Sequence, residues 1–79
     1  MTYERKLDAM LDDIFDRSDE LNMSLTEMAD ASGLAYSTVF RINARITRLP
    51  RLKTVLDLAQ AVHMDLILVA QKLKMRKGA

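Results

Sequence analysis

A chain of 79 residues can close one small hydrophobic core and little more, so any function has to be simple or shared with a partner. The absence of cysteine excludes disulfide bridges and thiolate metal sites, a lone His63 leaves little for zinc or acid–base chemistry, and the longest apolar run, residues 66–70, is too short to span a bilayer. The net charge of +1 conceals a division: residues 1–34 carry three bases against nine acids, whereas residues 35–79 carry nine bases against two acids. A basic half of this kind is the usual electrostatic mark of a surface for polyanions. No basic n-region followed by an apolar stretch opens the chain, so the expectation is a soluble, cytoplasmic protein with no membrane partner.

Tyr3, Leu7, Met10, Leu11, Ile14, Phe15 and Leu21 recur at steps of three and four, which predicts an amphipathic helix over residues 3–21 with carboxylates on its other face. Ser24-Leu25-Thr26-Glu27 has the form of a capping box and predicts a second helix that runs to Ser32 and is stopped by Gly33. Val39 and Ile42, with Leu34 buried in the preceding turn, predict a third helix over residues 36–43. Residues 44–49 read as an arginine-rich loop closed by Pro50, after which Leu52, Val55, Leu56, Ala59 and Val62 form the apolar face of a fourth helix ending near His63. Leu66, Ile67, Leu68 and Val69 fit either a buried strand or the middle of a fifth helix. The β-branched Ile67 and Val69, after a break at His63, favour the strand. The chain thus divides into a helical unit over residues 1–63 and an apolar tail with a basic end over residues 64–79.

The informative joint lies between the second and third helices, because two helices meeting across a tight turn make narrow demands on residue size. Ala29 is small enough for close approach, and Gly33 can take the left-handed backbone that ends a helix. Leu34, Val39 and Ile42 then face inward, leaving Tyr36, Ser37, Phe40 and Arg41 outward. No carboxylate occurs from residue 35 to residue 56, a stretch that holds Arg41, Arg45, Arg48, Arg51 and Lys53. Such a one-sign segment repels itself unless an anion lies against it; the alternative is a merely solvated basic loop.

The string Ser24-Leu25-Thr26-Glu27-Met28-Ala29-Asp30-Ala31-Ser32-Gly33-Leu34-Ala35-Tyr36-Ser37-Thr38-Val39-Phe40-Arg41-Ile42 runs without a gap into the basic loop. With Pro50-Arg51-Leu52-Lys53-Thr54 and Leu58-Ala59-Gln60-Ala61-Val62, it resembles the Xre/Cro family of bacterial and phage regulators over residues 23–66. The resemblance implies an all-α, lambda-repressor-like helix-turn-helix domain of four to five helices, to which a short C-terminal β-strand used in dimerisation can be added. It implies that the third helix enters the major groove of double-stranded DNA, with Tyr36, Ser37 and Arg41 at the positions that touch base edges. Arg41 ranks first, since a guanidinium can bridge guanine O6 and N7, while a Ser37 hydroxyl can donate or accept at several bases. Tyr36 could pack on a thymine methyl or bond a phosphate. Thr38, Arg48 and Lys53 are assigned to phosphates, Arg51 matches a residue that approaches the backbone or minor groove, and Arg45 completes the basic loop. Proteins of this type pair two such helices about 34 Å apart, which implies a homodimer. Leu66, Ile67, Leu68 and Val69 are the candidate interface, pairing edge to edge as a strand; as a helix, Leu66, Val69, Ala70 and Leu73 would pack against the first helix or its mate.

Departures from the family pattern carry their own expectations. Leu25 stands where a Gln commonly binds phosphate, which removes one anchor. Asn43-Ala44-Arg45 replaces the frequent Glu-Asn-Gly, so Asn43 is expected to take the left-handed backbone, and His63 at a usual Gly site reads as a structural cap. Phe40 has three open fates: stacking against DNA, cover by another protein, or burial in its own core. Asp12, Asp13, Asp16, Asp19 and Glu20 read as a solvated face that repels DNA and directs the basic side towards it, in preference to a metal or acid–base site. The six Met residues read as core filler. The leading expectation is a homodimeric transcriptional regulator, a repressor, that binds double-stranded DNA sequence-specifically with no cofactor, no metal and no catalytic residue. An enzyme is disfavoured by the lack of a nucleophile–base constellation or a glycine-rich phosphate loop. The alternative is an antitoxin-type module that holds a toxin-like protein partner and uses DNA binding for autoregulation.

Overall fold

The computed structural model describes residues 2–73 of the chain. Of the basic end read at Lys72, Lys74, Arg76 and Lys77, Lys72 is exposed in the last helical turn described, and the other three lie outside the described residues. Five helices and no strand are found among those described: α1 (Thr2–Glu20), α2 (Leu25–Ser32), α3 (Tyr36–Asn43), α4 (Leu52–Ala61) and α5 (Leu66–Leu73). None of these helices is long and apolar enough to cross a membrane.

The three-four spacing of α1 buries Leu7, Met10, Leu11, Ile14 and Phe15 in one stripe, with Tyr3 packed at its edge. Leu21, expected on the same stripe, is exposed because the helix has already ended and the chain turns at Asn22, whose φ is 58°. Within the stripe the one buried polar side chain, Ser18, donates its hydroxyl to the Phe15 carbonyl at 2.7 Å, so it is satisfied locally. Arg17 reaches from α1 to the far end of α4, its Nε donating to the Val62 carbonyl at 3.3 Å, where a cation also suits the negative end of the helix dipole.

The capping box opens α2 as expected: the Ser24 hydroxyl accepts the Glu27 amide at 3.1 Å, and the Glu27 carboxylate accepts the Ser24 amide at 2.8 Å. Gly33 ends it with φ 76° and ψ 14°, and the Leu34 amide folds back onto the Ala29 carbonyl at 3.2 Å. The same closure recurs at three other helix ends. Met23 donates to Ser18, Ile46 to Arg41 and Met64 to Ala59, at 2.8, 2.8 and 3.0 Å. Asn22, Arg45 and His63 occupy the corresponding left-handed positions, with φ of 58°, 61° and 64°. His63 is thus the cap it was read as. Asn43, by contrast, stays inside α3, and the left-handed residue is Arg45, two positions later. The closing bond from Ile46 to Arg41 sets that register, and it leaves Ile42 in the core.

Core packing corrects two further expectations. In α4 Val55, Leu58 and Ala59 are buried, as is Val62 at its C-cap, and Leu56 is partly buried, whereas Leu52 at the first helical position remains exposed. The strand expected over Leu66, Ile67, Leu68 and Val69 is instead the first half of α5. An isolated strand would leave its backbone groups unpaired. The helix satisfies them internally, and the Asp65 carboxylate accepts the Ile67 and Leu68 amides at 2.9 and 3.3 Å as an N-cap. The spacing of Leu66, Val69 and Leu73 then aims that face at α1 and α4, with Val69 and Leu73 buried and Leu66 partly so. Ile67 and Leu68 point outward, 70% and 52% exposed. Of the methionines read as core filler, Met10 and Met28 are buried and Met23 and Met64 partly buried, while Met1 and Met75 lie outside the described residues.

A Cβ added at Gly33 meets nothing within 4 Å, so Gly33→Ala tests the backbone alone. It is expected to destabilise the fold by about 1–2 kcal/mol in urea unfolding, the usual penalty for a side chain in the left-handed region. His63→Gly should act in the opposite sense, raising the unfolding midpoint. Stability unchanged by both variants would contradict the role given to these turns.

Candidate functional site

Val39 and Ile42 anchor α3 from behind, both fully buried. With two inward positions fixed at helical spacing, the opposite face must turn to solvent, and Tyr36, Ser37, Phe40 and Arg41 are all exposed. Thr38 sits at the margin, half-buried. Phe40 does not fold into the core: it is 45% exposed and stacks on Tyr36, itself 51% exposed, one turn earlier. Their ring centroids are 6.3 Å apart and the planes 22° from parallel. The exposed face therefore carries two rows, an aromatic one of Tyr36 and Phe40 and a polar one of Ser37 and Arg41.

The loop that follows is built around carbonyls at the end of α3. The Arg41 carbonyl accepts the amides of Ile46 and Thr47 at 2.8 and 3.2 Å. Arg45, in its left-handed conformation, turns its guanidinium back: Nη1 donates to the Ile42 carbonyl at 3.0 Å, Nη2 to the Asp12 carboxylate of α1, and Nε lies 3.9 Å from Asp8. This alters the electrostatic expectation in one respect. The acidic helix does not stand wholly apart from the basic segment, because Asp8 and Asp12 lie against it and neutralise Arg45. Shallow grooves of about 320 and 400 Å³ run between α1 and the loop. The larger is lined by Asp8, Asp12, Arg45 and Arg48, so its walls carry both signs of charge.

The remaining basic residues divide in the same way. Lys53 donates to Asp57 one turn along α4 at 3.1 Å, although its side chain stays largely in water. Arg41, Arg48 and Arg51 are exposed and form no ion pair with any described residue. Of the five cations expected to act together, three remain unpaired. Sequence reasoning had no local signal for the Arg45 contact, whose partner lies 33 residues away. The capping patterns add a further contrast. The α2 N-terminus is closed by Ser24 and Glu27, whereas α3 and α4 have no side-chain cap and no acidic residue in their first turns.

No family model matches the chain, and comparisons with curated proteins and with solved structures return no match. Among the described residues no group of three His, Asp or Glu side chains gathers in a way that could hold a metal ion. Asp13, Asp16, Asp19 and Glu20 are spread along the exposed side of α1. The four residues proposed for dimerisation are split by α5: Val69 is buried and Leu66 partly buried, leaving Ile67 and Leu68 as the outward pair.

The Arg45–Asp12 contact is partly exposed, which limits it to below about 1 kcal/mol. Asp12→Asn is expected to lower stability by no more than this at low ionic strength, with the difference from the parent shrinking as salt is added. Urea titrations at several salt concentrations measure it. A salt-independent loss would mean that the side chain acts through packing and not through charge.

Proposed function

We propose that the protein is a sequence-specific double-stranded DNA-binding regulator, a homodimeric repressor of the Xre/Cro, lambda-repressor-like helix-turn-helix type, which works in the cytoplasm without catalysis. The observation that carries this reading is the outer face of α3. Tyr36, Ser37, Phe40 and Arg41 project from a helix anchored by Val39 and Ile42, and the chain that follows carries Arg48 and Arg51, which form no ion pair with any described residue. A cylinder of this size fits the major groove, whose base edges present the donor and acceptor patterns that Ser37 and Arg41 can match.

The electrostatics support the same direction. Arg48 and Arg51 are free to meet phosphates, and each phosphate neutralised releases counterions and adds affinity regardless of sequence. Thr38 and Lys53 would add further backbone contacts, Lys53 by giving up its Asp57 partner. The uncapped first turns of α3 and α4 leave backbone N–H groups at the positive ends of both helix dipoles. Arg45 contributes less than its charge suggests, since it already serves Asp12 and Ile42.

A single such helix reads few base pairs, so a second copy completes the reading head. Ile67 and Leu68, outward on α5, are the residues through which two chains would meet. The same exposed pair favours the second reading, in which α5 holds a toxin-like protein and DNA binding serves autoregulation. A stoichiometric toxin-like partner in a pull-down would favour that second reading, and an operator footprint by the protein alone favours the first.

Selection of bound duplexes from a random pool, followed by binding titrations over a range of salt, tests the proposal. Arg41→Ala should relax base preference, with a loss of about 1–3 kcal/mol confined to the preferred sequence. Arg48→Ala should weaken all sequences alike and reduce the salt slope by about one. Equal losses at both positions for every sequence would contradict this division of labour, and indifference of the parent protein to every duplex at low ionic strength would end the DNA reading.

A further inference from the structure

We propose that the stacked Tyr36–Phe40 pair reads thymine methyl groups, so that base selection rests on an apolar contact through Phe40 as well as on the polar reach of Arg41. This deepens the DNA-binding reading and depends on it. A phenyl ring has no donor or acceptor, so Phe40 cannot bind a phosphate or a polar base edge, yet it is 45% exposed at the centre of the outward face. Its neighbour does not bury it. The stack with Tyr36 at 6.3 Å holds both rings in place, which lowers the ordering cost of any surface that packs on them.

The surroundings select the occupant. Arg41 follows Phe40 directly and forms no ion pair with any described residue, and no carboxylate occurs from residue 35 to residue 56. An apolar pair that shares its helix face with the exposed Arg41, in a segment without carboxylates, complements a polyanion that also offers apolar groups. Duplex DNA meets both conditions, because thymine is the base whose major-groove edge presents a methyl group, at C5. In a duplex the base faces are already stacked on one another, so the methyl is the apolar group within reach. The two rows on α3 then divide the work: Ser37 and Arg41 read polar edges, while Tyr36 and Phe40 distinguish thymine from cytosine at the adjoining positions.

Replacing thymine by deoxyuridine removes the methyl and leaves pairing intact. With a duplex selected from a random pool, the parent 79-residue chain is expected to lose about fourfold in affinity for each contacted methyl removed, the value of one buried methyl group. Phe40→Ala should bind the thymine duplex more weakly and no longer tell it from the deoxyuridine form, whereas Arg41→Ala should keep that difference. Phe40 is exposed, and an unchanged thermal transition for Phe40→Ala verifies that the fold survives. Equal affinity of the parent for both duplexes, with duplex binding retained, overturns the methyl contact and leaves the DNA reading standing. Failure to bind any duplex overturns both. A preference for single strands over duplex, which the same rings would give by stacking on unpaired bases, overturns the proposal, as does self-association that Phe40→Ala abolishes in sedimentation while the thymine–deoxyuridine difference is absent.

Discussion

The outward face of α3 depends on one local event, the reversal of the chain at Gly33. A left-handed residue there lets the Leu34 amide close on the Ala29 carbonyl, and the next helix begins after only a short turn. With Ala29 small and buried at the joint, α2 and α3 can share a core that includes Met28, Val39 and Ile42. Once those positions are fixed inward, the helical period leaves residues 36, 37, 40 and 41 no other place than solvent. The exposure of the aromatic pair therefore follows from burial elsewhere on the same helix.

Charge is organised at longer range than the chain order suggests. The sequence separates an acidic half from a basic half, but the fold brings Asp8 and Asp12 of α1 beside the loop after α3. Arg45 of the basic segment is neutralised in consequence, whereas Arg41, Arg48 and Arg51 form no ion pair with any described residue. Within residues 35–56 the cationic set is therefore narrower than composition implies. The acidic side chains beyond Asp12 remain exposed on α1, so that helix keeps a negative outer face.

Features with a local cause were legible in the sequence. The Ser24–Glu27 box, the Gly33 stop, the burial of Val39 and Ile42 and the left-handed His63 each follow from a residue and its immediate neighbours. Where two local signals competed, the reading went astray. At Leu66–Val69 the β-branched residues pointed to a strand, against the helical spacing of Leu66, Val69 and Leu73; packing against α1 and α4 decided in favour of the helix, and Asp65, which the reading had not used, caps it. The preference of Asn for left-handed backbone suggested Asn43, but hydrogen-bond register placed that conformation at Arg45, a residue with no such preference. The pairing of Arg45 with α1 and the stack of Phe40 on Tyr36 are tertiary and rotameric facts. Periodicity put Phe40 on the outer face and could not say what it touched.

The helices that build the site are short: α2, α3 and α5 have eight residues each and α4 has ten. Isolated helices below about 12–15 residues are marginal in water, so none of these is self-sustaining. An excised peptide spanning α3 would carry the same side chains without holding them on one side of a cylinder. The outward face of α3 consequently has the lifetime of the native state itself, and a protease that traps the opened chain abolishes it in a single event.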